Sequence, residues 1–442
     1  MIVPCNRLLF LVGVTTLPMS VVAAAVPAVL PLLLGTFAVI TLISLLDALH
    51  AGRAIRGLHV KFPEKVNLLR KHDEFLNFTV YHDRPFGTLY MGLALPREVQ
   101  TTRRELVVAL PPEGEGLPIA WPVNAKARGE YVLSRCYFRV PSRLGLWMKQ
   151  GSLPAGTRIF VYPDLLSEHR RVWALFPRRG GAGIHVHRQR GQGKEFEKLR
   201  DYLPGDSMSD VHWRMTAKRN RLVTKEYQLE RTQEIYVVID ASRLSARPAG
   251  PDAAEPLLER YIGSALILGD FAQRQGDRFG LLAFSNRMLT FIRAAGGKMH
   301  FRACRDALLN LHPQPVTPDF EELAGTILQN LRRRALLLFL TSLDDPSLAD
   351  SFMSDLEAVA RRHIILVNMI RHSSARPLFS DGEVAGDRDI YSRLGGHLVW
   401  NNLRQLDVLL RRRGMGFALA DRENLGVEMI DRYVDIKRRQ VL

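Results

Sequence analysis

From Leu8 to Leu46 the sequence carries no charged side chain, and this run constrains everything that follows it. As a single helix it would be roughly 58 Å long at 1.5 Å rise per residue, about twice the ~30 Å hydrocarbon core of a bilayer. Two spans fit where one does not. Pro27 and Pro31 mark the break, because proline removes a backbone donor and clashes with the preceding turn. The expectation is a transmembrane helical hairpin over 8–26 and 28–46, within a membrane segment 1–50. Arg7 precedes it, Arg53, Arg56, Lys61 and Lys65 follow it, and the turn is uncharged. The positive-inside rule then puts both ends in the cytoplasm. A secretory signal cleaved after Ala23, Ala24 and Ala25 is the alternative. It too leaves the chain beyond about residue 50 cytosolic, since the basic flank of the second span is the same.

The 442 residues have room for two or three domains, each able to bury its own core. Residues 51–170 hold short alternating runs at 75–81, 89–95, 105–110, 131–140 and 158–162, separated by Pro, Gly and charged turns. That pattern predicts a small β-sandwich. Residues 171–230 read as a basic connector. From 231 to 442, apolar strands at 234–240, 278–284, 335–341 and 364–370 alternate with helices near 256–275, 299–311, 319–333 and 347–362. A weaker strand pair falls at 288–293 and 415–420, a polar Gly-rich loop at 373–398, and a final helix after Asn424. Such alternation makes a parallel sheet covered on both faces.

A net charge of +16 points to an anionic membrane face, an acidic partner or nucleic acid. The cations are spread along the chain, without zinc-finger spacing or an RNA-binding signature, so nucleic acid is not expected. Cys5, Cys136 and Cys304 form neither a disulfide framework nor a metal knuckle, which fits a reducing compartment. His185 and His187 would share a face of a strand, but two ligands without a third do not make a zinc site. Arg188 stands where a phosphate loop ending at Gly193 and Lys194 needs glycine. With no G-x-S-x-G elbow either, an enzyme is not expected.

The connector carries Glu195, Phe196, Leu199, Arg200, Tyr202, Pro204, Gly205, Asp206, Trp213, Thr216, Ala217, Lys218, Leu222, Lys225, Glu226 and Tyr227. This set resembles the signature of the domain-of-unknown-function 58 (DUF58) family. The resemblance implies two membrane helices, a β-rich segment and a von Willebrand factor A-like (Rossmann-type) α/β domain, in that order. It further implies a bacterial inner-membrane binding or scaffold protein, its bulk cytoplasmic, that works with a MoxR-type AAA+ ATPase and other membrane or envelope proteins. Packing alone could account for each of these residues singly. Together, Arg200, Asp206, Trp213, Lys218, Lys225 and Glu226 are the candidate partner-binding surface.

A-like domains commonly hold a divalent cation on three loops, and the resemblance makes Mg²⁺ the cofactor to test. Asp240 and Ser242 match the first loop, but Leu244 stands at its second serine position, with Ser245 one residue late. Thr317 matches a later hydroxyl. Ser342 stands where an aspartate is expected, with Asp344 two residues on, either as a substitute ligand or as a helix cap before Pro346. Losing a carboxylate and a hydroxyl weakens a hard-cation site. A metal-free domain with no cofactor is expected, a metal-dependent protein-binding domain being the alternative. Asp240 is then expected to accept backbone N–H groups of the following loop.

Overall fold

A computed structural model describes residues 1–26, 28, 30–54, 57–82, 88–109, 116–165, 170, 190–203, 206–228, 233–248, 255–372, 374–378 and 386–439. His185, His187, Pro204 and Gly205 lie outside these, as does Pro27 at the expected helix break. The chain forms two compact units, Met1–Asp164 and Leu165–Leu442.

The first unit opens with strand β1 (Ile2–Pro4), then helices α1 (Asn6–Ala25) and α2 (Leu30–Ala54). Both helices are long and apolar enough to cross a membrane. Side chains such as Phe10, Leu17, Leu32 and Leu45 are exposed, unlike those of a soluble core helix. The strands that follow are β2 (His59–Lys61), β3 (Lys65–Leu69), β4 (Asp73–Tyr81), β5 (Leu89–Leu93), β6 (Val99–Gln100), β7 (Leu106–Val108), β8 (Leu117–Ala125), β9 (Gly129–Pro141) and β10 (Trp147–Tyr162). One sheet runs β1-β10-β9-β5-β7, with β3 also on β10, and the other runs β2-β4-β8-β6. Alternate residues Leu76, Phe78 and Val80 of β4, and Ile119, Trp121 and Val123 of β8, face the core with Phe138 and Ile159. This is the expected sandwich, with one element that periodicity does not disclose: β1, ahead of the membrane helices, pairs antiparallel with Trp147–Lys149 of β10.

A polar clasp joins the end of α2 to the β9–β10 turn. Asp47, buried and the first charged residue after the apolar run, accepts the Ser142 hydroxyl at 2.5 Å and the Leu144 N–H at 3.2 Å. Trp147 Nε1 donates to the Ser44 carbonyl at 2.9 Å. A buried carboxylate is tolerated because its oxygens are satisfied.

The second unit begins with β11 (Arg190–Asp201) and β12 (Val223–Gln228), an antiparallel pair, with α3 (Trp213–Arg219) between them. Six more strands follow: β13 (Glu234–Asp240), β14 (Arg278–Phe284), β15 (Met288–Ala295), β16 (Leu336–Leu340), β17 (Ile364–Ile370) and β18 (Gly416–Ala420). The helices among and after them are α4 (Leu257–Arg274), α5 (Lys298–Ala307), α6 (Phe320–Asn330), α7 (Pro346–Asp355), α8 (Glu357–Ala360), α9 (Asp387–Arg412) and α10 (Leu425–Arg438). The sheet order is β15-β14-β13-β16-β17-β18, parallel except at the β15 edge. This is the doubly wound α/β fold of the expected A-like domain. Strand β16, and β13 between Glu234 and Asp240, are apolar because both faces are covered. Ile235 and Val237 meet Leu258, Ile262 and Tyr433 on one face, while Tyr236 and Val238 meet Phe320, Phe352 and Leu406 on the other. Burying each large aliphatic side chain stabilises by about 1.5–3 kcal/mol.

One expectation fails. A loop is expected over 373–398, but Asp387 begins the long helix α9. Gly395 and Gly396 weaken helical propensity and hide the helix from a periodicity reading. Gly396 has a packing reason: a Cβ there would lie 2.0 Å from the Ser374 carbonyl oxygen.

At the opposite end of the sheet from the carboxyl-terminal loops, buried Asp277 holds α10 in place. It accepts the Gln233 N–H at 3.1 Å, the Lys437 ammonium at 2.6 Å and the Tyr433 hydroxyl. Removing one partner of a buried pair leaves the other uncompensated, so Asp277→Ala is expected to cost about 3 kcal/mol in urea unfolding. Arg361→Ala, which breaks an exposed helical pair with Glu357, should cost under about 0.5 kcal/mol.

Candidate functional site

The order of the sheet places a crevice between β13 and β16. The helix after β13 packs on one face and the helix after β16 on the other, and ligands of open α/β sheets bind outside the strand ends at such a switch point. Asp240, fully buried, ends β13. Its Oδ1 accepts the Ser242 N–H at 2.8 Å, as expected of a loop-holding carboxylate. Its Oδ2 accepts the Thr341 hydroxyl at 2.6 Å. Burial raises the Asp240 pKa, opposed by these Thr341 and Ser242 hydrogen bonds. Leu244, in place of the second serine, is buried, and the Ser245 hydroxyl turns back to the Ser242 carbonyl at 2.9 Å.

The other two candidate ligands are engaged by arginine. Thr317 Oγ1 accepts Arg243 Nε at 3.3 Å, and the Arg243 N–H donates to the Val316 carbonyl at 2.9 Å. Asp344 accepts Arg247 Nη1 at 2.6 Å on one oxygen and the Ser342 hydroxyl at 2.6 Å on the other. Asp344 is therefore not a helix cap; Asp345 is, accepting the Ser347 N–H at the start of α7.

These residues do not fit a divalent cation. Mg²⁺ needs near-octahedral oxygen coordination that includes carboxylates, whereas each carboxylate here already serves a hydroxyl, an N–H or a guanidinium. Among the described residues no three His, Cys, Asp or Glu side chains come close enough to hold a metal. Sequence reasoning missed Thr341, Arg243 and Arg247. Arg243 was the readable signal, since it puts a fixed cation between Ser242 and the position of the absent second serine.

Cys304 and His300 form a contact that could be mistaken for a nucleophile and base, 3.6 Å apart. Burial pushes the Cys304 thiol up to about 12, and the same His300 Nε2 lies 2.7 Å from the Phe279 carbonyl. A nitrogen donating to a carbonyl has no lone pair to take the thiol proton, so this pair is packing.

In the connector, Arg200 and Asp206 form a two-pronged ion pair, both contacts at 2.7 Å. The Arg200 hydrogen bond holds the Asp206 carboxyl below the usual range. Asp206 also accepts the Leu203 N–H at 3.0 Å, which closes the turn after β11. Lys218 lies exposed in the last turn of α3, and Lys225 is half-buried on β12 next to Glu226. Trp213 opens α3 and is 62% exposed, so it does not pin the connector by packing. Leu203, Met208 and Leu222 are exposed as well, and Tyr202 N–H bonding to the Leu222 carbonyl keeps two of these segments together.

Residues 198–386 match the family model described as protein of unknown function DUF58. That segment is DUF58-like. It is 25% identical over 171 residues to uncharacterized protein YeaD of Bacillus subtilis, covering 37% of this chain and 42% of that protein. It is 23% identical over 189 residues to uncharacterized protein Rv1480 of Mycobacterium tuberculosis, covering 42% and 57% respectively. The match thus spans about half the length of these relatives. Among solved structures, BatB from Bacteroides thetaiotaomicron is similar at 12% identity with a TM-score of 0.30, over 47% of this chain and 99% of that one. The SpRpn10 VWA domain is similar at 10% identity with a TM-score of 0.27, over 46% and 95%.

The buried carboxylate gives this DUF58-like segment a pH signature. A raised folded pKa means Asp240 contributes stability fully below its unfolded value of 3.8 and loses it as pH rises through the folded value. Asp240→Asn should therefore gain stability relative to the wild type as pH climbs from 4 toward neutrality. Thermal unfolding of both proteins across that range checks the sign; a difference that does not change with pH refutes it.

Proposed function

We propose that this protein is a membrane-anchored, non-enzymatic binding component that docks a partner on its DUF58 connector, that partner being a MoxR-type AAA+ ATPase. The observation that carries the reading is the exposure of Trp213, Met208, Leu203 and Leu222 on a segment stiffened by the Arg200–Asp206 pair. Exposed aromatic and aliphatic side chains grouped on an ordered support are what protein interfaces use as anchors. Arg214, Lys218 and Arg219 lie exposed on the same short helix as Trp213, so the partner surface is apolar with acidic edges.

The anchor is the α1–α2 hairpin in a bacterial inner membrane, crossing it twice. Strand β1 before the hairpin pairs with β10 after it, which supports both flanks lying on one side. Arg7, Lys61 and Lys65 make that side the cytoplasm under the positive-inside rule. In this reading the A-like domain supplies shape and rigidity, without a cofactor, and the reading extends to the assembly of other membrane or envelope proteins.

Photo-crosslinking tests it. A benzophenone amino acid placed at position 213 of the full chain in its own membrane should yield an adduct containing an AAA+ ATPase. Trp213→Ala should weaken recovery of that partner by about tenfold or more, as removal of an interface anchor does. Adducts lacking any AAA+ protein would refute the partner, and unchanged recovery with Trp213→Ala would refute the surface.

A further inference from the structure

The crevice between β13 and β16 lacks a metal's ligand set but is not without positive charge. Two exposed arginines of the loop after β13 reach groups at its rim. Arg247 meets Asp344 at 2.6 Å while Ser342 satisfies the other carboxylate oxygen at 2.6 Å. Arg243, four residues earlier, reaches the loop before α6 at Thr317. Beneath them Tyr261 of α4 is 1% exposed, and its hydroxyl has no hydrogen-bond partner. Asp240 and Asp344 both raise the pKa of that hydroxyl beyond the effect of burial, and Arg247 lowers it. These three charged groups therefore sit within electrostatic reach of the Tyr261 hydroxyl.

Of the two carboxylates here, Asp240 is buried and satisfied by Ser242 and Thr341, whereas Asp344 is partly exposed and is the one that Arg247 neutralises. A divalent cation would require most of the surrounding oxygens to turn inward. A guanidinium requires only a planar carboxylate face, and it stays protonated at any physiological pH. The backbone of the loop supports the second solution. Arg243 opens the turn at 243–246, and its own N–H fixes that turn to the Val316 carbonyl.

We infer that Arg247, with Arg243 beside it, is the built-in cation of this crevice and takes the place of a divalent metal. The loop after β13 is thereby tied to the loop before α6 and to the loop after β16 without any ion from solution. The inference rests on the A-like sheet and not on the connector surface, so a failed Trp213 crosslink leaves it untouched.

The test uses the full chain in detergent, with thermal unfolding and the electron paramagnetic resonance of Mn²⁺ as independent readouts. For the wild type, Mg²⁺, Mn²⁺ and EDTA should leave Tm unchanged, and no bound Mn²⁺ should be seen. Arg247→Ala should lower Tm by about 2–4 °C, and added Mn²⁺ should restore part of the loss with a bound-Mn²⁺ signal. Arg247→Gln, which keeps a donor to Asp344 but no charge, serves if the alanine variant does not fold and should behave in the same way. Mn²⁺ binding by the wild type that is lost in Asp240→Asn overturns the inference. So does a folded variant at Arg247 that takes up no Mn²⁺.

Discussion

The second unit is organised around a carboxylate that water does not reach. Asp240 ends the innermost strand of the sheet, and its two oxygens take the Ser242 N–H and the hydroxyl of Thr341 from the neighbouring strand. An ionised group in that position is costly to bury unless its lone pairs are filled. Filling them fixes where β13 ends, how the next loop leaves, and how β13 meets the end of β16. The arginine contacts to Thr317 and Asp344 depend on that exit angle, because both arginines lie on the loop that Asp240 holds.

A sheet that is apolar on both faces announces itself in sequence, and so does a helix pair without charge. Strands β13, β14 and β17 lie where runs such as Glu234–Asp240 put them, since a parallel strand covered on both faces is mostly apolar along its length. Helix α9 escaped because Gly395 and Gly396 look like loop residues, and the reason for Gly396 lies in the approach of Ser374. Strand β1 escaped because three residues carry no period, and only β10, far along the chain, makes a strand of them.

The candidate site was legible in part for a similar reason. Asp240 and Ser242 are neighbours in sequence and remain neighbours in space. Thr317 and Asp344 were named as oxygens available to a metal, yet each is engaged by an arginine from a loop distant in sequence. Single-sequence reading finds donor types at set spacings; it does not find a competitor that arrives by tertiary folding. The choice of cap before α7 is finer still, because Asp344 and Asp345 both precede Pro346 and only backbone geometry makes Asp345 the one that caps.

The pairing of β1 with β10 gives the membrane hairpin a mechanical character. The first helix is held to the sandwich by the backbone ladder at Ile2–Pro4, and the second by Asp47 and Ser44 against Ser142 and Trp147. Both attachments converge on one turn between β9 and β10. Displacing one helix along its axis would load the ladder in shear, while tilting the pair would twist that single turn. The hairpin thus meets the sandwich as a two-pinned bracket, and a change in bilayer thickness would reach the sandwich as torque at Ser142–Trp147.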